Sequence, residues 1–522
     1  MICLATDQDW LHKTTKEVAK TDIVGKHQQS NGKNTAARPL TSRNKNKIVK
    51  INQRAIIRAM VTLGVCCGIV RAAAITYHVD ASAGNDRNDG ISPAAAWRSL
   101  QKVNLAELKP GDNVLFKRGE IWRGQLFPQS GSEEAPITYG AYGEGAKPLL
   151  LGSVSRNKPK YWLSEGKNIW STIDVGTNKI VVDVGNIIFN QGKSVGVKKW
   201  KLADLKQPGD YWYSAETGQI KLYAEKNPAE SYQSIELALR QHIISEDHKS
   251  YVVYENLALK YGAAHGFGGA STHHIIIRQC DVSWIGGGHQ FTTPEGRPVR
   301  FGNGIEFWSN AHDNLVEGCR IWEIYDAALT NQGDNNNTEA NIIYRNNVIW
   351  NCEYSFEYWN GKMLKTNAPQ LSKTKNIRFE FNTCVNAGYG WGHAQRPDPN
   401  GRHLMFSNNR AETSNFYVCN NIFYQATDSD ARFSNDWRAS LTLDHNCWYQ
   451  SQGTLILFLK TPWTSAQFGE YQKQTKLDAH SIVSDPKFTK AEALDFRLTP
   501  DSPALKLSTE GGSVGAQQRL VD

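Results

Sequence analysis

No two cysteines stand at CxxC spacing, so a closed thiolate zinc site of that kind is excluded. An apolar run able to span a bilayer is also missing. The best candidate, Ala59–Val70, has 12 residues, whereas a membrane helix needs roughly 20. It is followed by Ala72-Ala73-Ala74, which suits a signal-peptide core with a small-residue cleavage site. This reads as a secreted or periplasmic protein that matures near Ile75, with no membrane span in the mature chain. A retained N-terminal anchor is the competing reading. The net charge of +8 suggests a basic protein, but the excess is local. Residues 1–74 hold 13 Lys and Arg against 4 Asp and Glu, and the remainder holds 46 against 47. That balance removes the compositional case for nucleic acid and for a strongly polyanionic ligand, leaving only a local basic groove open.

What the chain has is repetition. A run of β-branched and aromatic residues is followed five or six positions later by Asn or Cys in YVVYENLAL from Tyr251, IIIRQCDV from Ile275, NLVEGCRI from Asn314 and NIIYRNNVI from Asn341. The pattern continues in NIRFEFNT from Asn376, NFYVCNNIF from Asn415 and SLTLDHNCW from Ser440. Successive starts lie 24, 39, 27, 35, 39 and 25 residues apart. A propeller or helical repeat would hold a steadier period, whereas a solenoid coil of roughly 24 residues tolerates excursions at its turns. Six positions after each start come Leu257, Asp281, Arg320, Asn347, Asn382, Asn421 and Asn446. Four successive coils therefore put Asn in one column, where stacked amides bond one another and the turn backbone. The expectation is an all-β fold, a single-stranded right-handed parallel β-helix. Cys280 and Cys319 fall five residues after their starts, and both a cross-coil disulfide and a stack of buried thiols are open there.

The rest of the chain frames these coils. Residues 1–74 read as a leader, removed or disordered, and 75–156 as an N-terminal cap with the first coils, including a short helix near Ala95–Leu105. Such a cap would cover the open strand edges of a solenoid. Residues 157–240 read as a β-rich insertion with a hairpin cue at Thr217-Gly218, 241–450 as the groove-bearing coils, and 451–522 as a C-terminal coil and cap with an amphipathic helix over Thr464–Leu477.

The opening YHVDASAGNDRNDGISPAAAWRSL with LKPGDNVLFKRG, and the closing DPKF, DFRL, SPAL and VGA, resemble the N-terminal cap and last coil of the secreted pectate-lyase-like right-handed β-helix superfamily. That superfamily holds polysaccharide lyases and glycoside hydrolases. The resemblance covers about Tyr77 to Ala516 and implies the fold and a polysaccharide ligand. It carries over no catalytic residue, because the NTD, DD and RIK series of pectate lyases and polygalacturonases is absent, and the fold also hosts non-catalytic adhesins.

Candidate chemistry concentrates between His265 and His403. His265 and His289 both lie 14 residues after their starts, which predicts stacking about one rung, ~4.8 Å, apart. Ala328, Ser355 and Gly390 share that offset in later coils and would leave room for a sugar. Glycosidases need two carboxyl groups roughly 5 to 9.5 Å apart, one protonated and one acting as base or nucleophile. Glu306 in GIEFW, Asp326 in IYDAAL and Glu357 in SFEYWN are the candidates. Their neighbours Phe307, Trp308, Tyr358 and Trp359 would stack on sugar rings and raise the pKa of one carboxyl. In YGWGHAQRPDPNGRH, Tyr389 and Trp391 offer stacking surfaces, His393 a proton shuttle, and Arg396 and Asp398 polar contacts. His393 has the opposite parity to His265, so it reaches the groove only through a turn or bulge. The stretch His312 to Asn314 reads as turn chemistry.

The leading reading is a polysaccharide-degrading glycoside hydrolase, expected to be a monomer and to need no cofactor. A polysaccharide lyase is the alternative, with Arg396, His393 and Tyr354 neutralising and deprotonating a uronate; Ca²⁺ enters only in that case. The oxygen-rich loop Gly84–Gly90 lies in the cap and reads as structural. A carbohydrate-binding or adhesive β-helix without turnover is the third reading.

Overall fold

The computed structural model describes residues 73–517 apart from 175–179, 181, 362–370 and 408–410. The leader, with Ala59–Val70 and the cleavage motif through Ala72, lies outside the described residues. From Ala74 onward the chain forms one compact unit. Among the described residues, three long sheets run along it. The first has ten strands, from Thr76–Val79 to Leu441–Asp444, and the second ten, from Ile121–Arg123 to Ile482–Val483. The third has nine, from Ile244–Ser245 to Thr461–Trp463, parallel except for its last pair. Each coil visits the sheets in turn, so the fold is a parallel β-helix, right-handed as parallel crossovers require.

Alternation within each strand supplies the core. In Thr338–Arg345, Ile342 and Tyr344 are fully buried between the sheets while Asn341 faces out. Repetition of that pattern in every coil yields one continuous apolar interior from Val79 to Leu477. The fourth residue of successive strands of the first sheet is left-handed, Asn341, Asn376 and Asn415 at φ 56°, 57° and 52°, a conformation that Asn tolerates better than most residues. Their amides bond upward at 2.9 and 3.0 Å.

The buried amide ladder follows the first sheet. Asn347 Nδ2 donates to Asn382 Oδ1 at 3.0 Å, Asn382 to Asn421 at 3.2 Å, and Asn421 to Asn446 at 3.1 Å. Each Oδ1 also accepts the backbone N–H of the coil before it. The register corrects the lower half of that column. Ala258 pairs with Asp281, Asp281 with Arg320, and Arg320 with Val348. Cys280 and Cys319, not Asp281 and Arg320, therefore continue the ladder column. Both are buried free thiols, and Asp281 and Arg320 instead form an outward ion pair at 2.5 Å.

The cap helix is Leu100–Leu105, shorter than the expected segment, because Ser99 caps it by accepting the Lys102 N–H. Asp86 of the oxygen-rich loop accepts the N–H groups of Arg98 and Ser99, so its carboxylate serves the helix start. Between Gly152 and Ile243 the chain leaves the helix and builds a four-stranded and a five-stranded sheet, with mostly antiparallel pairings. These have their own core around Ile187, Tyr211, Leu222 and Leu237. The C-terminal helix runs over Phe468–Thr475 behind a turn at Ser465–Gln467.

Candidate active site

The insertion, the hairpin of Gly288–Thr292 with Pro298–Phe301, and the loop between Ala387 and Arg402 all leave the coil between the second sheet and the third. Together they form one wall beside the third sheet. Gln395 braces it, donating to Gly196 O at 3.0 Å while its Oε1 accepts from Arg300 Nη1 at 3.1 Å. Arg300 also reaches Gly185 O at 2.8 Å.

On the outer face of the third sheet the register places Glu306 opposite Thr330 and Thr330 opposite Glu357. The two glutamates thus share a column with the Thr330 rung between them, two rung steps or ~9.6 Å apart at Cα. Two residues on, Trp308, Gln332 and Trp359 form the next outward column. The two indoles meet edge to face at 5.2 Å. Phe307 and Tyr358 point the other way and lie in the core, so only the two tryptophans of the expected aromatic set line this face.

Each glutamate has a distinct environment. Glu306 accepts from Asn303 Nδ2 at 2.7 Å. His265 Nδ1 accepts the Asn303 backbone N–H at 2.9 Å, which leaves the proton on Nε2, 3.1 Å from Glu306 Oε1. Burial, reinforced by His242, lowers the His265 pKa well below its usual value, so the ring is a neutral donor. Glu306 therefore meets donors at both oxygens. Among the described residues Glu357 receives one hydrogen bond, from Gln332 Nε2 at 2.7 Å. Burial raises its pKa well above the usual carboxyl value, and the charges of Asp326 and Glu306 add to the effect against the opposing pull of Arg396. Between them the Thr330 hydroxyl is buried with no protein partner among the described residues.

A second group gathers at the turn before the same strands. Asp326 Oδ1 pairs with Arg396 Nη1 at 3.0 Å. Glu353, fully buried, lies 3.6 Å from Arg396 Nε and 2.9 Å from His393 Nδ1, and accepts the Asn400 N–H at 2.8 Å. Asp398 lies 3.9 Å from Arg396 Nε, and Tyr354 donates to Asn400 Oδ1 at 2.5 Å. Burial pushes the Asp326 carboxyl up while Arg396 opposes the shift. His393 enters through the loop turn His393–Gln395, which resolves its parity. Trp391 is built into the wall, donating its indole N–H to Glu323 O at 2.9 Å and packing on Tyr325 at 5.5 Å.

Two expectations about the histidine offset fail. His265 stacks on His242 at 4.9 Å, whereas His289 lies on the hairpin against Trp200 of the insertion at 5.2 Å. The chain departs at Gly286 and Gly287, with φ 99° and 88°, before offset 14 is reached. Ala328 and Ser355 are buried inside the helix and leave no room for a sugar, because that offset falls on the second residue of a third-sheet strand, where the chain faces inward. Sequence reading missed Glu353, Gln332, Thr330 and Asn303. The signal for Glu353 was present, since it occupies in its coil the turn position that Asp326 holds in the preceding one.

No family model matches the chain. Over 85 residues it is 39% identical to a lacto-N-biosidase of Bifidobacterium longum subsp. longum, covering 15% of this chain and 5% of that protein. Over 127 residues it is 29% identical to alpha-1,3-galactosidase A of Akkermansia muciniphila, covering 22% of this chain and 21% of that protein. The matches thus span about a fifth or less of those relatives. A solved glycoside hydrolase superposes with a TM-score of 0.48 at 10% identity, covering 74% of this chain and 95% of that one.

Proposed function

We propose that this protein is an exported glycan-cleaving enzyme, a glycoside hydrolase that works with inversion of configuration. The observation that carries the reading is the pair Glu306 and Glu357 in one outward column, with environments that set them apart. Glu357, half-buried and repelled by two carboxylates, is the protonated acid, and Glu306, with donors at both oxygens, is the base. Divergent environments for two carboxyls are what acid and base roles require. Their Cα atoms lie two rungs, ~9.6 Å, apart, and side chains that project side by side from one column would keep the carboxyls at the wide separation that admits a water between base and sugar. Thr330 occupies the rung between them. Trp308 and Trp359 supply the stacking surface. The glycosidase names of the two partial relatives support the same reading.

Elimination is disfavoured by the second group. A lyase needs a cation to neutralise the uronate carboxylate, and Arg396 already faces Asp326, Glu353 and Asp398. In the mechanism we infer, Arg396 and Asp326 position the loop and bind sugar hydroxyls beside Glu357. The test is to incubate the mature protein with a glycan panel and record reducing ends beside ultraviolet absorbance. New reducing ends without an unsaturated product are expected, with the anomer of opposite configuration appearing first by NMR. An unsaturated product would overturn hydrolysis, and binding without new ends would overturn catalysis.

A further inference from the structure

A second cluster lies on the first sheet, among residues with no part in the site above. His273 and His312 are partners on neighbouring rungs, and their rings stack at 4.8 Å and 2°. In an extended strand the next residue, His274, would face the other way, but its φ of 54° turns it to the same side. Its ring stands at 84° to that of His273 and at 86° to that of His312. The two Nδ1 atoms of His273 and His274 lie 3.0 Å apart. One ligand nitrogen from each of the three rings falls within a 4.8 Å span.

We propose that His273, His274 and His312 form a binding site for a divalent transition-metal cation. Two nitrogens 3.0 Å apart can both lie about 2.1 Å from one ion, at an N–metal–N angle of roughly 90°. That angle suits octahedral or tetragonal coordination, and imidazole donors select ions such as Cu²⁺, Ni²⁺ and Zn²⁺. The surroundings are those of a ligand set. Asp313 Oδ2 lies 2.7 Å from His312 Nδ1 and orients that ring. Asn341 fixes the other Asp313 oxygen at 2.8 Å. A carboxylate behind a histidine is the arrangement by which proteins orient metal-binding imidazoles. Tyr251 packs on His274 at 4.5 Å and holds that ring in place.

The test uses the full chain without a polyhistidine tag, stripped with chelator and titrated with Cu²⁺ alone. Calorimetry reads the stoichiometry and electron paramagnetic resonance reads the donor atoms. One ion per chain with nitrogen hyperfine structure is expected. His312→Ala and His274→Ala should abolish that binding, and Asp313→Asn should weaken it about 10- to 100-fold. Circular dichroism verifies each fold, and Asp313→Asn carries the test if a ring variant does not fold. His480→Gln, in the separate cluster of Asp444, His445 and His480, should leave the binding unchanged. Absence of binding overturns the proposal and reduces the 3.0 Å contact to a ring N–H···N bond. So does binding that survives both His312→Ala and Asp313→Asn, or binding that is lost only in His480→Gln.

Discussion

Replacing Glu357 with Gln keeps the shape of the side chain and an acceptor for the Gln332 N–H, but removes the proton that the proposed mechanism delivers to the leaving oxygen. A positioned general acid contributes about 10²- to 10⁴-fold, equivalent to about 2.7–5.4 kcal/mol of barrier. The whole loss should appear on a glycan, whose leaving group is a basic sugar alkoxide. An aryl glycoside with a strongly acidic phenol needs no proton on departure, so its kcat/KM should fall by less than about tenfold. The pH profile makes the same distinction. Glu357 is active when protonated and its pKa is raised, so wild-type kcat/KM should decline as pH rises through that value. The variant should lack this limb. The assay is initial-rate kinetics on both substrates across pH. Equal losses on the glycan and the aryl glycoside, or an unchanged limb at high pH, would refute the assignment of Glu357 as the acid.

Glu246 is fully buried, and burial pushes its pKa up to about 8. The folded state therefore keeps a proton that the unfolded chain gives up near the ordinary value of 4.5. Stability should be full below that pH and fall by about 1.4 kcal/mol per unit until the folded pKa is reached. Urea midpoints across that window should be flatter in Glu246→Gln, and parallel slopes would contradict the assignment. Asn382→Ala should cost about 2–4 kcal/mol, because the buried Asn347 N–H and Tyr344 carbonyl each lose a partner. An unchanged midpoint would show that the ladder does not stabilise the helix.

The fold was legible because a solenoid writes its geometry into the spacing of residues. The Asn column at Asn347, Asn382, Asn421 and Asn446 is visible without coordinates, since a buried amide that bonds its neighbour above and below demands the same residue at the same turn. Register was less legible. The starts at Ile275 and Asn314 sit one residue late, which exchanged Cys280 and Cys319 for Asp281 and Arg320. A shift of one residue reverses the face of every side chain, so linear offsets locate residues in a coil only until the first bulge. The start of the third-sheet strands at Ala328 and Ser355 is such a place, as is the hairpin that carries His289 away. Glu306 and Glu357 were found as acids, but their shared column is a property of strand pairing. Glu306 lies in a strand that starts at Ile305 after an excursion of unpredictable length, so its offset from Asn314 or Ile275 says nothing about its rung.

The placement of the excursions explains why the candidate site lies where it does. The hairpin and the Ala387–Arg402 loop both leave and re-enter the coil through paired glycines, Gly286 with Gly302 and Gly388 with Gly401. A Cβ on Gly302 would lie 2.2 Å from Gly286 Cα, and one on Gly401 2.3 Å from Gly388 Cα. The two strands of each neck can approach this closely only where side chains are absent. A narrow neck lets a coil carry a long insertion without disturbing the rungs above and below, so the column of Glu306, Thr330 and Glu357 keeps its spacing while the wall beside it is free to vary. Gln395 then ties two of these excursions to the insertion. The floor of the site is therefore set by strand pairing and its wall by loops, and that division predicts where each property is encoded. Reaction chemistry should respond to substitutions in the column, and the choice of glycan to substitutions in the loops.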